Sequence, residues 1–410
     1  MIAGAGVATA SWATGACTRR ADPDALQFWA MGYEGDYSPH LATAFTRSTG
    51  TRVETQSLSW TEAHEKLLTA FAGESLPDVF MLPAHWVGEF AMIGALARVG
   101  DATLVDMLPG AVDLTRAGGS GYAVPWVIGT QVQYYRRDLI EQAGYPEPPA
   151  DWAGWRQMGL ALKRRRPDAF TILLYLNWPE ALLTFAAQLG AGLLRERNTL
   201  GDFASPEFRE ALRFYKSLFD DGLAPRALAT QIQDPVGAFA QGYFAIYPDG
   251  PSLLLDMRRR AAEIPPDNWR TAVMPTPHGP APAPGVCQTL VVAATSRRPR
   301  EAWALVRHMT SVPSGLRFQR LIGDLPARAS AWRDPQLANP RLKAFADQLA
   351  HLAPTPALVE FEQIRMEVQL IAERVVRGLV DVNTATTEMN KRVDLILAKR
   401  RALVQAGRIA

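Results

Sequence analysis

Along the first quarter of the chain, apolar positions recur with two alternating periods. After the Asp22-Pro23-Asp24 punctuation, Ala25-Leu26-Gln27-Phe28-Trp29-Ala30 reads as a buried strand and Met31 to Pro39 as a loop. Leu41 and Phe45 then share one helical face, and Gly50 is placed to stop that helix. Thr51 to Ser57 alternates like a strand, and His64, Leu67, Leu68 and Phe71 recur at helical spacing. Pro77-Asp78 opens a short strand, Val79-Phe80-Met81-Leu82, followed by a helix through Val87, Phe90 and Met92. Strand, helix, strand, helix, strand is a βαβαβ unit, which requires parallel strands in a doubly wound α/β layer. Such sheets bind ligands at the loops leaving the carboxyl ends of their strands. Here those loops are Met31 to Pro39, Leu58 to Thr61 and Pro83 to Trp86.

Further on, Tyr122-Ala123-Val124-Pro125-Trp126 leads into a strand, Gln131 to Tyr135, and helices dominate beyond Pro149. Ser205-Pro206-Glu207 is a helix start, Leu212, Tyr215, Leu218 and Phe219 its buried face, and Asp221-Gly222 its end. A Pro-rich connection from Met274 to Gly285 reads as a crossing between lobes and delivers a strand, Thr289 to Ala293. Two helical stripes close the chain: Ile364, Val368, Ile371 and Val375, then Ala385, Met389, Val393 and Ile396.

A length of 410 residues exceeds one domain of roughly 150 residues and points to two lobes or one large elaborated domain. The 43 basic residues, only six of them Lys, nearly cancel 41 acidic ones; the resulting +2 gives no reason to expect a nucleic-acid partner. Met1 to Ala16 carries no charge, and Ala13-Thr14-Gly15-Ala16 approximates the small-residue box that precedes a lipid-modified cysteine, here Cys17. This reading places the mature protein outside the cytoplasm, in the periplasm or anchored by Cys17 at the outer face of the cytoplasmic membrane. It leaves Cys287 as a lone buried thiol.

No phosphate-binding glycine loop or hydrolase elbow follows any expected strand, and the six His are scattered without metal-ligand spacing. The loops carry aromatic residues instead: Trp29, Tyr33, Tyr37, Trp60, Trp86, Trp126, Trp178 and Tyr247. Flat rings beside Glu34, Asp36, Gln131 and Asn177 suit a polyhydroxylated ligand, whose C–H faces pack on aromatic surfaces while its hydroxyls take hydrogen bonds. For each ring, core packing is the competing explanation.

Several ordered segments resemble the extracellular solute-binding proteins of family 1, the maltose-binding type of sugar-binding subunit in bacterial ABC importers. They are Lys66 to Phe71 with Pro77-Asp78-Val79-Phe80, Tyr122 to Trp126 before Tyr134-Tyr135-Arg136-Arg137-Asp138-Leu139, Phe239 to Tyr247 with Gly250-Pro251, and Gly323-Asp324-Leu325-Pro326-Ala327-Arg328. The resemblance implies an α/β, two-lobed periplasmic-binding-protein fold of type II, each lobe an α/β sandwich with the ligand cleft between. On that plan, residues 1–24 are leader and linker, 25–130 with 287–328 form lobe 1, and 131–286 with 329–410 form lobe 2. It further implies a monomeric, non-catalytic receptor without cofactor or metal. Such a receptor captures a di- or oligosaccharide between closing lobes and delivers it to permease subunits of an ABC importer.

The site positions implied by the resemblance are Trp29, Tyr33, Glu34, Trp60, His85, Trp86, Trp126, Gln131, Asn177, Trp178, Tyr247, Gly250, Pro251 and Gln288. Arg328 either lines the cleft or ties the hinge by ion pairing. Many relatives place an acidic residue just after the Val-Pro-aromatic motif, where this chain has Val127, Ile128 and Gly129. Three other readings stay open: a ferric-ion or other small-solute binder using Tyr134-Tyr135, a glycoside hydrolase whose two carboxylates lie far apart in sequence, and an adhesion scaffold.

Overall fold

A computed structural model describes residues 24–408, apart from 114, 118, 119, 280, 354, 355 and 357. The expected leader and Cys17 lie outside the described residues. The βαβαβ unit is present as β1 (Leu26–Met31), α1 (Gly32–Thr49), β2 (Val53–Leu58), α2 (Ala63–Ala72), β3 (Val79–Pro83) and α3 (Ala84–Met92). β1 pairs in parallel with both β2 and β3. Its apolar face, Leu26, Phe28 and Ala30, is fully buried in a core shared with Leu41, Phe45, Leu67 and Phe90.

The expected loop Met31 to Pro39 is instead the first two turns of α1, with Pro39 inside the helix. A proline there removes the amide that would bond the carbonyl of Gly35. The Ser38 hydroxyl donates to that carbonyl at 2.9 Å and supplies the missing partner. Gly50 ends α1 as expected, in the left-handed conformation at φ 76°.

Seven strands form the first sheet, in the order Leu325–Pro326, Val124–Thr130, Ala283–Val292, β3, β1, β2, with Leu352–Ala353 pairing alongside Ala283–Val292. This sheet is mixed, not wholly parallel: Ala283–Val292 runs antiparallel to both β3 and Val124–Thr130. The reason is the route of the chain. Trp269–Ala272 belongs to a second, four-stranded sheet with Val132–Arg136, Phe244–Asp249 and Phe170–Ile172. A strand arriving from that sheet enters the first one at the carboxyl edge of β3, and so runs in the opposite direction. The expected strand Gln131 to Tyr135 is present as Val132–Arg136, in the second sheet, while Val124–Thr130 just before it belongs to the first sheet, and Gln131 alone joins the two.

Behind the second sheet, helix Pro206–Asp220 starts where Ser205 Oγ accepts from the Phe208 amide, and it buries Leu212, Tyr215, Leu218 and Phe219. The closing stripes become helices Phe361–Val376 and Val382–Ile396, packed into the same core. Among the described residues, no helix is long and apolar enough to cross a membrane.

Candidate functional site

Where the first sheet's carboxyl-end loops meet the second sheet, a cavity of about 620 Å³ opens, within the range of small-molecule sites. Each side contributes a tryptophan. Trp60 follows β2, and its indole lies against Gly32, where an added Cβ would come 2.4 Å from Nε1. Trp178 follows Phe170–Ile172 and meets the ring of Tyr175 edge-on at 4.7 Å. These rings remain 43% and 42% exposed. Val286 and Met366 add exposed apolar surface to the same wall.

The polar lining is rich in acceptors. A register shift between Gln288 and Thr289, where Ala283–Val292 pairs with Val124–Thr130, re-aims the strand at the cavity wall. The side-chain oxygens Gln131 Oε1, Gln288 Oε1 and Glu180 Oε2 are buried and have no hydrogen-bond partner. Each unsatisfied acceptor costs about 1–3 kcal/mol that a donor on a ligand would recover. Asn177 Oδ1 accepts from the Ala229 amide at 2.9 Å, leaving its NH₂ group as a donor.

Burial sets the ionisation of the acidic groups. It raises Asp249 to about 6, against the opposing hydrogen bonds from the Gly250 amide and the Tyr247 hydroxyl. Glu34, in the first turn of α1, and Asp324 are neighbours on the cavity wall. Burial is the main cause that raises Glu34 well above the usual carboxylate range and Asp324 to about 7. Gly323, at φ 93°, lets the chain pass so close that an added Cβ would lie 2.6 Å from the Pro251 carbonyl oxygen.

Of the residues expected at the site, Tyr33, Glu34, Trp60, Gln131, Asn177, Trp178, Gly250, Pro251 and Gln288 line this cavity. The other six lie elsewhere. Trp126 is 2% exposed, its ring stacked on Phe318 at 4.8 Å and set edge-on to Phe28, in the core of the first sheet. Trp29 lies beneath the Lys66 ammonium, 5.2 Å from its ring centre. Trp86 packs against His64 and His85. His85 stands 3.8 Å from Glu362 of the cavity wall, and burial, with a smaller contribution from Arg365, lowers its pKa to about 3. Tyr247 is buried behind the cavity, bonded to Asp249. Arg328 ties segments together: it donates to the carbonyls of Thr310 and Val105 and pairs with Asp106 at 3.6 Å.

Sequence reasoning missed Glu180, Asp324, Glu362, Arg365, Met366 and Gln369 as lining residues. Four of these sit on helix Phe361–Val376 at one-turn spacings, beside the apolar stripe that was read. The polar stripe was the available signal. Arg365 bonds Glu180 and also Glu362, the latter at 2.9 Å.

The tyrosine pair is divided between two cores. Tyr134 is buried in one, its hydroxyl donating to the Gly250 carbonyl at 2.8 Å, while Tyr135 packs into the other. The two therefore face opposite sides of the strand, as its pleat requires. Burial holds the Cys287 thiol protonated, with its pKa raised to about 12.

Two α/β sheets joined by repeated chain crossings, with an aromatic and polar cavity between them, define a two-lobed binding protein of the type II periplasmic kind. The chain belongs to the bacterial extracellular solute-binding proteins, whose family model matches residues 40–344. Its fold is similar to that of the sugar-binding protein MalE of Xanthomonas citri, with 37% identity, a TM-score of 0.87, and 93% of this chain and 99% of that one covered. The GacH receptor of Streptomyces glaucescens, solved unliganded and with acarbose, is 25% identical with a TM-score of 0.81, covering 91% and 98%. An ABC transporter solute-binding protein of Thermotoga lettingae, solved with α-D-tagatose, shares the fold at 21% identity and a TM-score of 0.80, covering 91% and 100%. The family and these structural neighbours are binding proteins.

Proposed function

We propose that the protein is a non-catalytic extracytoplasmic receptor that captures a saccharide, of di- or oligosaccharide size, between its two lobes. It then presents that ligand to the permease of an ABC importer. The observation that carries this reading is the cavity itself: two half-exposed tryptophans, one from each sheet, flank buried acceptors that lack donors. Sugar rings offer the complementary surface, with C–H faces for the indoles and hydroxyl donors for the orphaned oxygens. The sugar-binding protein MalE and the GacH receptor, solved with acarbose, support the same class. We further place the mature chain as a monomer outside the cytoplasm, reaching the membrane through a lipid on Cys17. The lobe division at 130/131, 286/287 and 328/329 belongs to the same proposal.

A thermal-shift panel of mono-, di- and oligosaccharides with polyols tests the reading. A ligand at 100 times its Kd stabilises the folded state by about 2.7 kcal/mol, a readily measured rise in Tm. Absence of any shift across the panel overturns the carbohydrate assignment. Release of reducing ends from a bound oligosaccharide overturns the non-catalytic one.

A further inference from the structure

Charge in the cavity is one-sided. Glu34, Glu180, Asp249, Asp324 and Glu362 line it against a single guanidinium, Arg365, which is already engaged by Glu180 and Glu362. Glu34 and Asp324 are 7% and 9% exposed, both line the cavity, and the charge of Asp324 helps to raise the pKa of Glu34. Neither forms an ion pair among the described residues. Burial and their mutual repulsion keep both carboxyls largely protonated at about pH 6, so without a bound cation the pair is close to neutral.

The surrounding groups do not supply a cation. Tyr33, the residue before Glu34, gives its hydroxyl to Asp256 at 3.0 Å, and Arg259 lies over the Tyr33 ring, 5.7 Å from its centre. From the second sheet, Tyr134 is bonded to the Gly250 carbonyl, and Asp249 adds a further carboxyl. The first-turn amides of α1 favour a negative Glu34, but they are outweighed by burial and by Asp324, which raise its pKa. A built, nine-tenths-buried carboxyl pair in a ligand cavity thus lacks a counter-cation.

Resting on the saccharide reading above, we propose that the Glu34–Asp324 pair is the seat of a protonated amine on the captured sugar. The ligand class is then an amino sugar or an aminocyclitol-bearing oligosaccharide. On binding, the ammonium takes the place of one carboxyl proton. R–NH₃⁺ enters, the pair goes from neutral to one negative charge, and one H⁺ leaves to solvent, so the net charge of the site is unchanged. No additional buried charge is left uncompensated, which is the condition a buried ion pair must meet. An ammonium also brings three N–H donors to carboxylate oxygens, where a hydroxyl brings one. Sugar phosphates and uronates are repelled by the same carboxyls.

Calorimetric titration of the wild-type protein tests the proposal. Matched 2-amino, 2-acetamido and 2-hydroxy glucose disaccharides, in both α-1,4 and β-1,4 linkages, are titrated at about pH 6 in two buffers of different ionisation enthalpy. The expected result is at least tenfold tighter binding of an amine member than of its hydroxyl counterpart, with release of close to one proton per ligand. Glu34→Gln and Asp324→Asn, checked for intact folding, are expected to bring the amine-to-hydroxyl affinity ratio near one. Equal or tighter binding of the neutral members, or amine binding without proton release, overturns the proposal and leaves the saccharide receptor standing. Failure of every member, together with a silent thermal-shift panel, removes the saccharide reading and this proposal with it. If saccharides in the panel bind while all the disaccharides fail, only the amine proposal falls.

Discussion

Trp60, Trp178 and Trp126 divide into two roles by a single property, what their rings touch. The first two keep large faces open to the cavity, whereas Trp126 is closed between Phe318 and Phe28. Trp60→Ala and Trp178→Ala are each expected to weaken ligand binding about tenfold, or about 1.4 kcal/mol, with little change in Tm, as calorimetry and melting curves would show. Trp126→Ala removes a packed core ring, which costs about 3–5 kcal/mol of stability. Its Tm is expected to fall sharply, and any loss of binding should follow unfolding; a stable variant with lost affinity would return this ring to the site. The distinction was not legible in the sequence. Trp60 and Trp178 follow strands and Trp126 lies within one, Val124–Thr130, and sequence alone does not say which side of the sheet a ring meets.

At the scale of elements, α1 shows how a local rule is overridden. Gly32, Gly35 and Pro39 spell a loop, yet the chain is helical through all three because the Ser38 hydroxyl replaces the amide that Pro39 lacks. Ser38→Ala is expected to destabilise the protein by about 1 kcal/mol. In a Pro39→Ala background, where the backbone amide is restored, the same change should cost much less. Denaturant melts of the four proteins in this cycle measure the difference, and equal costs in the two backgrounds would show that the hydroxyl is not compensating for the proline. The amphipathic helices were more legible: Pro206–Asp220 and the two closing helices lie where their apolar stripes placed them. Their polar faces were not, because a polar stripe reads the same whether it meets solvent or a cavity. Glu362, Arg365 and Gln369 entered the site by that route. Asp324 was hidden for another reason, since its partner Glu34 stands far away in sequence and only the fold brings them together.

For the molecule as a whole, buried carboxyls link stability to pH. Asp249, Asp324 and Glu34 all hold protons to higher pH in the folded state than in the unfolded one. Between the unfolded carboxyl range near 4 and the raised values, the native state binds more protons, so stability falls as pH rises. Their contribution is complete at low pH and is lost as pH climbs through about 6 to 7. The ligand-free protein is therefore expected to melt at lower temperature at about pH 8 than at about pH 5, and Asp324→Asn should flatten that profile. A melting temperature that climbs over this interval in the wild type, with no change of slope in the variant, would contradict the assignment.

Two-sheet architecture was legible from element order, but the direction of the returning strand was not, because it depends on which edge the chain enters. That route leaves Gln131 as the only residue between a strand of one sheet and a strand of the other. Along this crossing, only the φ and ψ torsions of one residue separate the two strands, so the connection has no loop to take up slack. The same residue lines the cavity, so a group bonded to the Gln131 amide touches the seam at which one sheet hands the chain to the other.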